Sequence, residues 1–201
     1  MPAPSSSITT TALLVGLRDP ANAEAWKQFM ERYHPIVLGV ARRLRFSPSD
    51  AEDVAQDVLV RFLRDYAAGG YSRERGRLRT WIVAMTRARA IDHLRRAGGG
   101  PPETQADPAE LPDQDALERI WAEETRDRIV ADSLELLRRT GSLREETIRA
   151  FELTTLQERP ATEVASELGL TTGAVYIAKH RCLERLRGYV AELEARYEEA
   201  G

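Results

Sequence analysis

The chain has 201 residues, enough for one domain or two small ones, and 42% hydrophobic residues are sufficient to build real cores. No apolar run is long enough to cross a bilayer and no basic-then-hydrophobic leader opens the sequence, so a cytoplasmic protein without membrane contact is expected. A single cysteine excludes an internal disulfide, the three histidines are too scattered for a metal site, and the formal net charge of −3 hides strongly segregated blocks.

Residues 1–10, rich in Pro, Ser and Thr, are expected to be disordered. A short helix over 11–17 should end before Asp19-Pro20. Asn22 can cap a longer helix running to about Arg45, with Trp26, Phe29, Met30, Tyr33, Val37 and Val40 on one buried face and Pro35 kinking or dividing it. Ser49 and Glu52 have the spacing of a capping box before a helix whose buried stripe is Val54, Val58, Leu59, Phe62 and Leu63. Its opposite face carries Asp50, Glu52, Asp53, Gln56, Asp57 and Arg61. Glycines 69, 70 and 76 make a basic loop, and a helix follows from about Leu78 to Arg96 with Trp81, Ile82, Met85, Ala88 and Ile91 as its expected core.

Residues 97–115 read as a flexible acidic linker of Gly, Pro and carboxylates. Between residues 61 and 100 there are ten arginines against three acids, whereas between 101 and 135 there are eleven acids against three arginines. The first block can neutralise phosphates and the second would be repelled by them. Leu117, Ile120, Trp121, Val130, Leu134 and Leu137 give one helix or two. Ser142 and Glu145 suggest another capping box, opening a helix with Ile148, Phe151 and Leu156.

Residues 161–181 have the pattern of a helix-turn-helix. Ala165 is small where two helices would cross, Gly169 falls where the first must stop, and Val164, Leu168, Leu170, Val175 and Ala178 fill the core. Pro160 suits the start of the first helix and Thr171 the cap of the second. The outer face of the second helix then presents Thr172, Tyr176, His180 and Arg181, groups suited to base edges and phosphates of duplex DNA. Cys182 falls on its apolar side, as a small core residue and not a nucleophile. The expected fold is all-α: residues 11–96 form one helical domain and 116–196 a second that contains the helix-turn-helix.

The stretches SDAEDVAQDVLVRFLRDY and GRLRTWIVAMTRARAIDHLRR, followed by a linker and a C-terminal helix-turn-helix, resemble the extracytoplasmic-function (ECF) group of bacterial RNA polymerase sigma factors. The resemblance covers roughly residues 11–190. It implies that Asp53, Gln56 and Asp57 dock on core RNA polymerase and that the 78–96 helix melts promoter DNA and recognises the −10 element. Arg77, Arg79, Arg87 and Arg95 would follow the strand's backbone, and the 69–76 loop could pocket a base pulled from the stack. Ala88 stands where the group commonly has asparagine. The helix-turn-helix would read the −35 element through Thr172, Tyr176, Ile177, His180 and Arg181, with Lys179 and Arg185 on phosphates. Tyr176 and Ile177 replace the basic-then-serine pair usual in the group and suggest more apolar contact. Members are commonly held by an anti-sigma partner, which here is implied by the resemblance alone.

No phosphate loop, nucleophile–base pair or metal cluster is legible, so neither catalysis nor a cofactor nor a small-molecule substrate is expected. The competing reading is a stand-alone helix-turn-helix regulator that binds DNA without polymerase, which leaves the 50–96 signatures without a purpose.

Overall fold

The computed structural model describes residues 10–19, 21–96, 104, 107 and 109–197, and every regular element among them is helical. Residues 1–9 and about half of the 97–115 stretch, to which disorder and a linker were assigned above, lie outside the described residues. None of the described helices is long and apolar enough to cross a membrane. The chain divides into two compact units, residues 8–128 and 129–198.

The first unit contains α1 (Thr10–Gly16), α2 (Ala23–Arg43), α3 (Pro48–Ala67), α4 (Leu78–Arg96) and residues 114–128 of α5 (Gln114–Arg139). Asn22 caps α2 by accepting from the Ala25 amide at 3.1 Å. Pro35 neither ends nor divides α2, which runs on as one element. Burial of Tyr33, Ile36, Val37 and Val40 on both sides of the proline holds the helix through the missing hydrogen bond. Phe29 and Phe62 are fully buried and stack with centroids 4.3 Å apart, a geometry worth roughly 0.5–1.5 kcal/mol beyond the area it hides.

The cap of α3 is Ser47 and not Ser49: its hydroxyl accepts from the Asp50 amide at 3.2 Å, and Pro48 occupies the first helical turn, where no N–H is needed. Asp50 leaves the expected solvent face as a consequence, because the third position of that turn points inward and is only 7% exposed. The buried side of α4 is Leu78, Ile82, Val83, Thr86, Ala90 and Leu94, while Ala88, expected in the core, is exposed. Alanine sits on either face of a helix at little cost, so Ala88 does not mark the buried stripe.

Residues 114–128 also belong to this unit, so the boundary falls at 128/129 and not within the 97–115 stretch. Leu117 is fully buried, Trp121 is 3% exposed, and the Trp121 ring stacks on Tyr33 with centroids 6.3 Å apart. Arg43 of α2 reaches Glu123, Glu124 and, at 3.2 Å, Asp127. Gly39 makes room beneath them: a methyl group there would overlap the Glu124 carboxylate.

The second unit holds residues 129–139 of α5, α6 (Glu145–Phe151) running into a π-helical turn (Glu152–Leu156), α7 (Ala161–Leu168) and α8 (Thr172–Tyr197). Ser142 does not cap α6, whose cap position is Arg144 with no side-chain bond; its hydroxyl lies beside Thr140 and Tyr189 instead. Val130 and Leu156, expected in the core, are 47% exposed, and Ile129 and Leu153 take the inward positions. The widened turn at 152–156 rotates the helix surface, which is why a strict 3.6-residue count from Phe151 misplaces Leu156.

Candidate functional site

The helical pair α7–α8 is built on one small core: Ala150, Leu153, Val164, Ala165, Val175 and Ala178 are buried together, with Leu168 and Leu170 packed against them. Gly169 ends α7 in the left-handed region (φ 65°), and Thr171 opens α8 by accepting from the Ala174 amide at 3.1 Å. Because Val175, Ala178 and Cys182 face inward, the opposite side of α8 is forced outward. There Tyr176 and Ile177 are 61% and 55% exposed, beside exposed His180 and Arg181, with Thr172 and Lys179 half-buried at the flanks. These six positions assigned to duplex DNA, and the exposed Arg185 one turn further on, therefore lie on the outer face of α8 or at its margin. Cys182 is fully buried, and burial followed by the neighbouring Glu152 charge pushes its thiol up to about 11, as a core residue requires.

On α3 the residues assigned to the polymerase, Asp53, Gln56 and Asp57, are all exposed on one side. Gln56 donates to Glu52 at 3.1 Å, and that bond outweighs desolvation, with help from His34 at 2.9 Å, to hold the Glu52 carboxyl below its ordinary value. Asp57 lies 3.6 Å from Arg96, a loose exposed pair. One residue the sequence reading missed stands on the same face: Val60, 51% exposed, seven positions after Asp53. A β-branched apolar residue at a position where the stripe calls for a polar one was the available signal.

Beneath the start of α3 lies a buried polar network. Asp50 accepts from Ser47 Oγ at 2.9 Å and from Thr104 Oγ1, and is joined to His93 Nε2 at 2.9 Å, while Thr104 Oγ1 also accepts from the Ser47 amide at 2.9 Å. Burial alone would raise the Asp50 carboxyl, but the hydrogen bonds from Thr104, Ser47 and His93 outweigh it and hold the group below its ordinary value. The network ties the first turn of α3 to the last turn of α4.

The four arginines assigned to a melted strand do not share one face of α4. Steps of eight residues advance about 80° beyond two full turns, so Arg79, Arg87 and Arg95 drift around the helix. Arg77 and Arg95 are exposed. Arg79 pairs with Glu118 at 3.2 Å, and Arg87 donates from Nε to the Pro112 carbonyl at 3.1 Å. Trp81, expected in the core, is partly exposed; it stacks on Tyr71 at 5.3 Å and leans on Phe62 at 5.2 Å. Beside this aromatic ladder the 69–74 loop, α1 and the end of α3 enclose an open cavity of about 590 Å³ lined by Tyr66, Tyr71, Arg18, Arg73 and Glu74 among others.

Three relatives and one family bear on what such surfaces do. Residues 29–99 match the family described as Sigma-70 region 2, which spans most of α2 and all of α3 and α4. The chain is 27% identical to the ECF RNA polymerase sigma factor SigE of Mycolicibacterium smegmatis, over 94% of this chain and 70% of that protein. It is 27% identical to the ECF RNA polymerase sigma factor RpoE of Cereibacter sphaeroides (90% and 94% covered) and 28% identical to the ECF RNA polymerase sigma factor ShbA of Streptomyces griseus (89% and 94%).

Proposed function

We propose that the chain is a member of the extracytoplasmic-function group of the sigma-70 superfamily and acts as an RNA polymerase sigma factor with three separate working surfaces. Asp53, Gln56 and Asp57 dock on core polymerase, with Val60 as the apolar centre of a polar patch. Arg77, just before α4, and Arg95, in its last turn, are both exposed and follow the backbone of the opened −10 strand. A displaced base enters the cavity beside α1, where Tyr71 and Tyr66 offer ring faces and Arg18 and Arg73 offer charge. The outer face of α8 reads the −35 duplex, Tyr176 and Ile177 against thymine methyls and His180 and Arg181 by hydrogen bonds, with Lys179 on phosphate. Chemistry is left to the polymerase, and the site of action is the cytoplasm.

The observation that carries this reading is the coexistence of an exposed acidic docking face on α3 and an outward recognition face on α8 in one chain. Neither surface is strong alone: a lone helix-turn-helix binds weakly, and joining two weak contacts through polymerase multiplies them. Control by an anti-sigma partner rests on the resemblance to the group. The test is to mix the purified chain with core polymerase from its host. Co-elution in size exclusion and run-off transcription from one of its promoters are expected. A chain that shifts duplex DNA by itself and leaves core polymerase unbound would instead be a stand-alone regulator.

A further inference from the structure

The acidic stretch that follows α4 contacts two arginines of that helix. Arg79 is held by Glu118 through one Nη at 3.2 Å, while its Nε is buried with no hydrogen-bond partner. Arg87 is held by a backbone carbonyl, that of Pro112. Gln114 completes the seam, donating to the Thr80 carbonyl at 3.2 Å and to Glu118 at 3.4 Å. A carboxylate and a carbonyl therefore hold the two guanidinium groups, and the Arg79 group is left with one nitrogen unpaired. A phosphate can engage an arginine through two parallel bonds, including the Nε left unpaired here.

We propose that residues 111–118 are an internal stand-in for a nucleic-acid strand, occupying Arg79 and Arg87 in the free protein and yielding them when single-stranded DNA arrives. The proposal rests on the reading of α4 as the promoter-strand helix. Leu117 and Trp121 are buried and stay seated, so what moves is the Glu118 carboxylate and the turn around Pro112, without unfolding of α5. Exposed and half-exposed ion pairs of this kind are weak enough to be exchanged. The device would suppress stray binding to single strands by the free chain and reserve two cations for a strand presented alongside polymerase.

The test uses the full chain without polymerase and a fluorescein-labelled single-stranded thymidine oligonucleotide, with anisotropy read across a salt series. Glu118→Ala combined with Gln114→Ala should tighten binding by up to about fivefold, with a salt slope steeper by about 0.7 for each added phosphate contact. Glu110→Ala, which removes an equal charge from an exposed position outside the seam, controls for net charge. Affinity and slope equal to those of the control would overturn the proposal and leave Arg79 and Arg87 as anchors of α5. Arg77→Ala with Arg95→Ala tests the underlying reading: if that pair leaves binding unchanged, α4 is not the strand-following helix and the −10 surface proposed above fails. Weakened binding in that variant, beside an unaltered seam variant, would remove only the stand-in.

Discussion

Asp50 carries more of the structure than its place in an acidic run suggests. Three side chains satisfy it, so removing its carboxylate takes a shared partner from Ser47, Thr104 and His93 together. Asp50→Ala should destabilise the first unit by about 1–3 kcal/mol. Denaturation followed by tryptophan fluorescence reads this cleanly, since Trp26, Trp81 and Trp121 all lie within residues 8–128. The carboxyl is depressed on folding, so its contribution is present in full above the ordinary Asp value of 3.8 and is lost as the pH falls below it. Acid titration of the wild type should show this loss, and Asp50→Asn should flatten it. A second residue-scale prediction concerns Gly169, whose φ of 65° is unfavourable for any side chain. Gly169→Ala should cost about 1–2 kcal/mol in thermal melts followed by circular dichroism.

The end of α7 at Gly169 and the start of α8 at Thr171 were readable because each of their signals is local. Gly169 at a left-handed position, Thr171 at a cap and small or β-branched residues at core spacing all act within a few residues of one another. Asp50 was not readable, because its burial depends on Thr104, fifty-four positions away. The caps failed for a related reason: Ser47-Pro48 and Ser49 offer competing starts two residues apart, and only packing of the first turn chooses between them.

At the scale of the helix, the docking on core polymerase proposed above rests on α3. Asp57→Arg should reduce core affinity by about 100-fold or more through like-charge repulsion, and Val60→Glu by about tenfold. Both positions are exposed, so the fluorescence melt should be unchanged, and a shifted melt would assign the loss to misfolding. The α5 helix makes a different point. Its apolar spacing marked a helix, but nothing in that spacing said that residues 114–128 belong with α2 and α4. The seat is set by Arg43, Tyr33 and the bare surface of Gly39, all remote in sequence. Gly39→Val should displace the Glu124 carboxylate and cost its pair with Arg43, a loss of up to about 1 kcal/mol in the fluorescence melt.

For the whole molecule, charge segregation is the property that sequence and structure share most directly. The ten arginines of residues 61–100 and the eleven acids of residues 101–135 partly meet within the first unit, at Arg79 and Glu118. Near-neutral average charge therefore does not mean weak electrostatics, and promoter binding by the holoenzyme should fall steeply with salt. Fold class and the surfaces on α3 and α8 were legible because amphipathic helices declare their outer sides. The unit boundary was not, because a helix that serves two units shows one unbroken period. The sealed position of Cys182 carries a practical consequence. Its thiol is shielded and reluctant to ionise, so maleimide dyes should leave the native chain unmarked, whereas a cysteine installed at Asp53 or His180 would take up one fluorophore with no native thiol to remove first.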